Sequence, residues 1–387
     1  MLTTQESFFC LALAIAPLLF AAGLSGAERD YFAYTGTYSG KNSKGIYVFR
    51  FNAATGKLAP IGLAAEANNP TFLAIHPNHR FLYATVEVDD FGGQHSGAVA
   101  AYSIDRSSGK LRFLNQVSSH GPGPCHVMVD KTGKYLFVAN YDGGSITVLT
   151  IGADGKLGEA SAAIQHHGAS VDKERQEGPH AHCMEPSPDN RFALVADLGL
   201  DEVLVYRFDP AKGTLTPNDP PFGKAPVGAG PRHFVFSPSG RFVYVINEIQ
   251  CSVSTFEYDA KRGALRLKDT ISTLPEGYKV TNNDAAAELR IHPSGKFVYG
   301  SNRGHDSIAV FAVDAAEGTL TPVERVSTQG KIPRGFNIDP SGSYLIAGNQ
   351  DSDNLVVFQI DQNTGKLTPG QKIEAFAPVD VEFMPAK

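Results

Sequence analysis

The fold is decided by the stretch Gly230–Glu248, whose sequence is GPRHFVFSPSGRFVYVINE. Two apolar runs rich in aromatic and β-branched residues flank the turn Pro238-Ser239-Gly240, which is the pattern of a β-hairpin. Arg232 stands where the first strand begins, and Glu248 stands where the second strand ends. In an antiparallel hairpin these two positions lie side by side at the end away from the turn. The stretch therefore predicts a hairpin with a cation and a carboxylate at its open end.

Variants of this stretch recur along the whole chain, over residues 69–87, 123–141, 178–198, 285–303 and 332–350. An alternating strand, a turn and a Gly-x-Leu corner follow each copy. The corners are Gly56-Leu58, Gly109-Leu111, Gly155-Leu157, Gly213-Leu215, Gly263-Leu265, Gly318-Leu320 and Gly365-Leu367. Seven corners at intervals of roughly 50 residues indicate either a propeller or a solenoid.

The two ends of the chain decide between these architectures. Tyr31–Gly36 matches the second strand of the repeat, and the missing first strand appears at the other end as Ala377–Pro385. The ends thus complete one repeat between them, which closes a circular array, whereas an open solenoid carries polar caps. The sequence predicts an all-β fold. It is a seven-bladed β-propeller with four antiparallel strands per blade, closed by N- and C-terminal strands that share one blade.

Finer features of the repeat follow from its residue types. The second strand is apolar throughout, as in Phe242–Ile246, which is typical of a strand covered on both faces. The fourth strand carries Pro or Thr and is expected to be short and to lie at the outer edge. His76 and His292 precede prolines in the turns and are expected at the surface. Irregular loops over the mouth that holds Arg232 are expected at Gln165–Glu177, Pro217–Ala229 and Thr273–Asp284.

Composition and the N-terminal segment bear on location and partners. A formal net charge of −6 and the lack of any basic run argue against a nucleic-acid partner. The apolar run Phe8–Ala22 and the small residues before Glu28 predict a secretory signal peptide at residues 1–27, followed by the propeller at residues 28–387. The first residues carry no Lys or Arg, so an uncleaved anchor or a misassigned start codon stays open. We expect a periplasmic or secreted protein that does not contact the membrane after cleavage.

Blade geometry brings the starts of all first strands and the ends of all second strands to one entrance of the central channel. The side chains there are Asn69, Glu87, His126, Asn140, His180, His182, Asp197, Arg232, His233, Asn247, Glu248, Glu288, Arg290, Asn302, Arg303, Arg334, Asn349 and Gln350. A funnel of His, Glu and Arg is a candidate acid–base site for an anionic substrate, because Arg binds carboxylates and phosphates in bidentate fashion. Within this ring we assign substrate binding to His126, Asn140, His180, Arg334 and Glu87.

Several of these residues have a structural alternative. His126 is equally well a hydrogen-bonded core histidine. His180 and His182 alternate along one strand, so only one of them should face the channel. The asparagines recur at one position of the repeat, which favours capping of backbone groups over ligand binding. They are Asn140, Asn247, Asn302 and Asn349.

The repeats PRHFVFSPSGRFVYVINE, AELRIHPSGKFVYGSNRGHDSIAVF and PRGFNIDPSGSYLIAGNQDSDNLVVF resemble the lactonase family of seven-bladed propellers. That family includes the bacterial cycloisomerase-type 6-phosphogluconolactonases and the fungal carboxymuconate-lactonizing enzyme. The lactonizing enzyme has a proposed site of one His, one Glu and two Arg. The resemblance implies catalytic roles for His182 and Arg232, each six residues before a proline of the turn, and for Glu248 and Arg303.

The leading functional hypothesis is hydrolysis of a sugar lactone by a 6-phosphogluconolactonase-like carboxylic-ester hydrolase that needs no metal or cofactor. Its partner is a small anionic lactone or carboxylate. Arg232 and Arg303 would hold the anionic group and stabilise the oxyanion, while His182 and Glu248 would divide the acid and base roles. Export argues against the phosphorylated lactone as physiological substrate, because the phosphogluconate pathway is cytoplasmic. Two alternatives stay open: a carboxymuconate cycloisomerase, and a non-catalytic extracytoplasmic binding propeller. The oligomeric state does not follow from the sequence.

Overall fold

The computed structural model describes Met1, residues 30–40 and residues 42–386, and its strands form seven four-stranded antiparallel sheets. Blade 7 contains β1 (Asp30–Thr37), β2 (Gly45–Asn52), β3 (Lys57–Glu66) and β30 (Pro378–Pro385). Blade 1 contains β4 (Leu73–Ile75), β5 (Phe81–Val86), β8 (Ala98–Ile104) and β9 (Leu111–Ser118). A small hairpin, β6 (Asp90–Phe91) and β7 (Gln94–His95), lies between β5 and β8. Blade 2 contains β10 (Pro124–Val129), β11 (Tyr135–Asn140), β12 (Ser145–Ile151) and β13 (Leu157–Gln165).

The remaining blades repeat the same order of four strands. Blade 3 contains β14 (Ala181–Pro186), β15 (Phe192–Asp197), β16 (Glu202–Asp209) and β17 (Thr214–Lys224). Blade 4 contains β18 (Pro231–Phe236), β19 (Phe242–Asn247), β20 (Ser252–Asp259) and β21 (Ala264–Ser272). Blade 5 contains β22 (Ala285–Ile291), β23 (Phe297–Arg303), β24 (Ser307–Val313) and β25 (Leu320–Ser327). Blade 6 contains β26 (Pro333–Ile338), β27 (Tyr344–Asn349), β28 (Asn354–Ile360) and β29 (Leu367–Glu374), with a 3-10 turn at Gln350–Ser352.

The predicted architecture is confirmed at its two decisive points. The strands β18 and β19 pair antiparallel, with Pro231 opposite Asn247, so the open end of the hairpin holds Arg232 and Glu248 as expected. In blade 7 the order is β3-β2-β1-β30, and Ala33 pairs with Phe383. The N- and C-terminal strands therefore share one blade and close the ring.

The Gly-x-Leu corners lock neighbouring blades together. The glycine of each corner has a positive φ, for example 73° at Gly109 and 73° at Gly365. A Cβ on Gly109 would lie 2.8 Å from the Phe32 ring of the preceding blade, so only glycine fits this contact. The hydroxyl of Tyr34 donates to the carbonyl of Gly109 at 2.9 Å. The repeat thus requires glycine both for backbone conformation and for close approach between blades.

The turns at the other end of the hairpins correct one expectation. His76 and His292 are buried rather than exposed. Nε2–H of His76 donates to the carbonyl of Gly133 at 2.8 Å, and Nε2–H of His292 donates to that of Gly342 at 2.8 Å. Each histidine therefore joins its turn to the turn of the next blade, a role that a single hairpin sequence does not reveal.

The outer strands correct another expectation. They were expected to be short, but β17 has 11 residues and β3 has 10. The segment Pro217–Lys224, expected as part of a loop, continues β17. Prolines fit there because the outer strand has no further neighbour that would need their missing N–H. The fourth strand does carry prolines as expected, but its length was underestimated because a strand at this position can continue through several prolines.

The predicted signal peptide lies outside the described residues, apart from Met1. Within the part of the chain that the structure describes, no helix has the length and apolar character to span a membrane.

Candidate active site

A β-bulge at the start of the first strand recurs in four blades. Strand pairing shifts by one residue between Pro124 and His126, Ala181 and Cys183, Pro231 and His233, and Pro333 and Gly335. The extra residues are Cys125, His182, Arg232 and Arg334. A bulge re-aims a side chain out of the normal alternation of a strand. Cys125, His182 and Arg334 line the cavity at the mouth of the channel, whereas Arg232, which was predicted to be catalytic, does not line it and instead pairs with Glu248.

The ends of the second strands supply the other side chains of the mouth. The residue directly after the second strand is Glu87 for β5, Tyr141 for β11 and Glu248 for β19, and Arg303 is the last residue of β23. With Cys125, His182 and Arg334 they enclose a cavity of about 330 Å³, called here the central cavity. Its walls are formed by Glu87, Cys125, Tyr141, Asp142, Arg175, His182, Glu248, Ala285, Arg303 and Arg334.

Glu248 is the electrostatic centre of this cavity. Its Oε2 lies 2.9 Å from Nε of Arg232 and 2.8 Å from Nη2 of Arg303, and its Oε1 lies 2.5 Å from Nη2 of Arg175. Burial raises the pKa of Glu248, but the guanidiniums of Arg303, Arg232 and Arg175 outweigh burial and hold the pKa well below its ordinary value. Glu248 is therefore an ionised carboxylate that cannot supply a proton near neutral pH.

Arg232 connects this cluster to a second carboxylate deeper in the channel. Its Nη1 donates to the carbonyl of Ala287 at 2.6 Å and to Nε2 of His233 at 3.5 Å. His233 in turn donates from Nδ1 to Oε1 of Glu288 at 3.1 Å. Burial, followed by Arg303 and Arg334, lowers the pKa of Arg232 to about 10. Arg232 still carries its charge at neutral pH. Its guanidinium is held by Glu248 through Nε and by the Ala287 carbonyl and His233 through Nη1.

His182 faces the cavity as a neutral imidazole. Burial, and then the Arg232 guanidinium, hold the pKa of His182 well below its usual value of 6.5. Its Nδ1 lies 3.8 Å from Sγ of Cys125, and no carboxylate within the described residues is hydrogen-bonded to its ring. A neutral imidazole at the wall of a polar cavity can accept a proton from a bound water molecule.

Arg334 differs from the other three arginines because it forms no hydrogen bond or ion pair with any described residue. Its guanidinium lies over the ring of Tyr38, 5.4 Å from the centroid. The Tyr38 hydroxyl donates to Oε1 of Glu87 at 2.7 Å, and the Thr71 hydroxyl donates to the other oxygen of Glu87. The N–H groups of Arg334 are thus available to an anionic or carbonyl oxygen of a ligand.

Three residues that were assigned to substrate binding do not line the central cavity. Asn140 is fully buried, and its amide donates to the Ser119 carbonyl and to the Ser145 hydroxyl, each at 3.1 Å, as in the capping alternative. His126 packs against Phe72, 4.4 Å between ring centroids, in the interior of the channel. His180 stacks on Tyr141 outside the cavity, at 4.6 Å. The other assigned residues, Glu87 and Arg334, do line it.

Sequence reasoning missed Cys125, Tyr141 and Arg175. Cys125 occupies the same bulge position as His182, and Tyr141 follows Asn140 as Glu248 follows Asn247. The alignment of the repeats therefore held the signal for both of these residues. Arg175 lies in the loop after β13 and belongs to no repeat position. Its contact with Glu248 depends on the path of that loop, which the sequence does not give.

One group of side chains has the donor atoms of a metal site. The ligand atoms of His126, Cys183 and Glu185 lie within 4.8 Å of one another in the channel interior. The backbone N–H of Met184 donates to Nδ1 of His126, which leaves the proton on Nε2, facing Sγ of Cys183 at 3.5 Å. Burial raises the pKa of Glu185 to about 7, and the nearby Arg290 guanidinium acts in the opposite direction by lowering it. These contacts suit an imidazole–thiol hydrogen bond better than a cation, and metal independence stays a prediction.

The fold and cavity together define a class: a seven-bladed propeller with a histidine and a carboxylate–arginine cluster in its channel mouth. Residues 32–383 match the family described as lactonase, 7-bladed beta-propeller. The chain belongs to this lactonase family.

Named relatives cover most of the chain. It is 39% identical to the 6-phosphogluconolactonase of Bacillus subtilis (strain 168) over 306 residues, which are 79% of this chain and 84% of that protein. It is 33% identical to a 6-phosphogluconolactonase of Formosa agariphila over 309 residues, 79% of this chain and 85% of that protein. The solved structure of a Pseudomonas aeruginosa periplasmic gluconolactonase has a TM-score of 0.86 and 35% identity. That comparison covers 92% of this chain and 100% of the other.

Proposed function

We propose that this protein hydrolyses sugar lactones in the central cavity, with His182 as the general base. The observation that carries the proposal is the geometry of one cavity. It places the neutral imidazole of His182 in the same wall as Glu248, which is held by three guanidiniums. Arg334 lines the same wall, and its N–H groups form no hydrogen bond with any residue that the structure describes. The relatives named 6-phosphogluconolactonase and gluconolactonase support a lactone as the substrate.

The chemistry needs one water molecule and one proton relay. His182 takes a proton from water as the water oxygen attacks the lactone carbonyl carbon. The carbonyl oxygen becomes an oxyanion, which Arg334 and Arg303 stabilise. As the tetrahedral intermediate collapses, the bond from the carbonyl carbon to the ring oxygen breaks, and the imidazolium returns its proton to that oxygen. Burial makes this imidazolium a stronger acid than free imidazolium, which favours return of the proton to the leaving oxygen. The product is the open-chain hydroxy acid.

Glu248 has a different role in this proposal from that of a proton donor. Three guanidiniums already occupy its oxygens, and its low pKa leaves it ionised throughout the neutral range. Its two oxygens instead fix the guanidiniums of Arg175, Arg232 and Arg303 in one orientation. The division of acid and base roles between His182 and Glu248, left open by the sequence, therefore favours His182 for both proton transfers.

We also infer that the mature protein works outside the cytoplasm. The apolar run Phe8–Ala22 has the character of a signal peptide, and a structural relative is named a periplasmic gluconolactonase. N-terminal sequencing of the protein recovered from a periplasmic extract would test this inference. A first residue near Glu28 is expected, and recovery of the intact Met1 chain in the cytoplasm would contradict it.

The catalytic proposal is tested by pH-stat titration with glucono-1,5-lactone and its 6-phosphate. His182→Gln is expected to lower kcat by about a hundredfold or more, the usual scale for a lost general base. His167→Gln, at an exposed histidine of a nearby loop, is the matched control. Hydrolysis in ¹⁸O-labelled water should place one labelled oxygen in the product, which cycloisomerisation would not do. Near-wild-type turnover by His182→Gln would overturn the assignment.

A further inference from the structure

A second cavity lies beside the central cavity, and the two share one side chain. This side cavity has a volume of about 310 Å³ and lies between the loop that carries Arg175 and the loop that carries Val280. Arg175 lines both cavities. Ile249, the residue after Glu248, also belongs to the wall of the side cavity. The side cavity thus lies directly beside Glu248 and its partner Arg175.

The charge of the side cavity excludes an anionic occupant. Asp172, Glu174 and Asp284 line it, and Arg175 is its single basic lining residue. The charge of Arg175 is already matched by Glu248, whose Oε1 lies 2.5 Å from Nη2. A phosphate or carboxylate in this cavity would face uncompensated negative charge. Carboxylate oxygens, in contrast, accept hydrogen bonds from hydroxyl groups.

The polar groups of the side cavity are available for such hydrogen bonds. Oδ2 of Asp172 and the side chains of Glu174 and Asn282 form no hydrogen bond with any residue that the structure describes. Val280 is 44% exposed and, with Ile249, supplies an aliphatic wall. Carboxylate and amide groups beside an aliphatic surface match a hexose, which has hydroxyls at its edge and C–H groups on its faces. Pockets for small ligands combine apolar walls with a few polar groups in the same way.

The two cavities have nearly equal volumes, so if one accommodates a six-carbon lactone the other has room for one hexose unit. We propose that the side cavity binds the glycosyl residue of an aldobionolactone, a sugar lactone that carries a second, neutral hexose, while the lactone ring occupies the central cavity. Arg175 then lies beside the glycosidic bond. This inference rests on the proposed lactonase function and names the substrate class for it.

The test compares kcat/KM for cellobiono-1,5-lactone and glucono-1,5-lactone by pH-stat, at mildly acidic pH where spontaneous opening is slow. The disaccharide lactone is expected to have a kcat/KM about tenfold higher, the low end of what one added apolar contact contributes to specificity. Val280→Trp should lower the ratio of the two values about tenfold by filling the side cavity. Asn282→Leu should lower the ratio severalfold by removing a hydrogen-bonding group without filling the space.

Val227→Trp is the matched control, because this valine is 59% exposed on a different loop and lines neither cavity. It should leave the ratio unchanged. Because each ratio is measured within one variant, a general loss of folded protein cancels. A disaccharide lactone hydrolysed no faster than the monosaccharide, or a ratio insensitive to Val280→Trp, would overturn this inference alone. Failure to hydrolyse either lactone would overturn the lactonase proposal and this inference with it.

Discussion

Replacing Glu248 by Gln removes the negative charge on which three guanidiniums converge, while it keeps the size of the side chain. The side chains of Glu248 and Arg232 are 7% and 3% exposed, and that of Arg303 is 14% exposed. The amide oxygen of Gln can still accept one or two of the hydrogen bonds. Its NH₂ group, however, must face a guanidinium, so at least one arginine loses its acceptor.

The magnitude follows from how deeply each partner is buried. Removing one member of a buried ion pair costs about 3–5 kcal/mol, because the other charge is left without compensation. Arg232 and Arg303 belong to this buried class. The side chain of Arg175 is 41% exposed, and water screens its pair, which adds no more than about 1 kcal/mol. We therefore expect Glu248→Gln to lower the free energy of unfolding by about 3–5 kcal/mol.

The assay is urea denaturation followed by circular dichroism. Since the folded-state pKa of Glu248 lies below the unfolded-state value of about 4.3, the stabilisation is fully present above that value and is lost as the pH falls through the folded-state pKa. The difference between wild type and variant should therefore stay constant from pH 5 to pH 8. The double variant Glu248→Gln/Arg303→Met should recover about 0.5–3 kcal/mol relative to Glu248→Gln, because it removes one of the unpaired cations.

Glu257→Gln is the matched control. It breaks the ion pairs of the 39% exposed Glu257 side chain with Arg266 and Lys268, which are 72% and 22% exposed, and it should cost less than about 1 kcal/mol. If Glu248→Gln costs no more than this control, or if Arg303→Met gives no recovery, Glu248 does not hold the arginines together in the way described.

Three further predictions concern His182, the channel interior and the turns. If His182 is the base, kcat/KM should fall with decreasing pH only well below its usual pKa of 6.5, since its neutral form is active; an acid limb at or above 6.5 in the pH–rate profile would contradict this. Burial raises the pKa of Glu382 and that of Asp380, so the folded state binds the extra protons and loses stability as pH rises above about 4.3. Glu382→Gln should thus raise the thermal midpoint more at pH 8.5 than at pH 5, and an equal shift at both would count against it. His292→Ala leaves the buried carbonyl of Gly342 without its donor and should lower the free energy of unfolding by about 1–3 kcal/mol in urea titrations; an unchanged midpoint would show that this bond between blades is dispensable.

Much of the fold was predictable because the same pattern of an apolar hairpin followed by a Gly-x-Leu corner repeats along the chain. The strand β19 is buried along its whole length, as the apolar run Phe242–Ile246 indicated. The pairing of β1 with β30 follows from the same rule applied to both ends of the chain. The outer strand β17 was predicted, but its length was underestimated, because prolines do not end a strand at an edge position.

The site was predictable to the extent that its residues occupy repeat positions. His182, Glu248 and Arg303 were placed correctly in one mouth because strand starts and strand ends meet there. Asn140 was misplaced because its position in the repeat does not tell whether a side chain points along the channel or into the blade. Its amide donates to Ser119 in the segment between blades 1 and 2 and to Ser145 of its own blade. The loop that carries Arg175 was expected over the mouth, but the contact of Arg175 with Glu248 was not predicted, since a loop residue has no register with the repeat.

The bulges at Cys125, His182, Arg232 and Arg334 have an evolutionary consequence. Each of these side chains sits on an inserted position that belongs to neither face of its strand. The residues that pack one blade against the next therefore need not change when an inserted one does. Substitutions at these positions can therefore change the chemistry of the mouth one residue at a time while the strands beneath keep their packing.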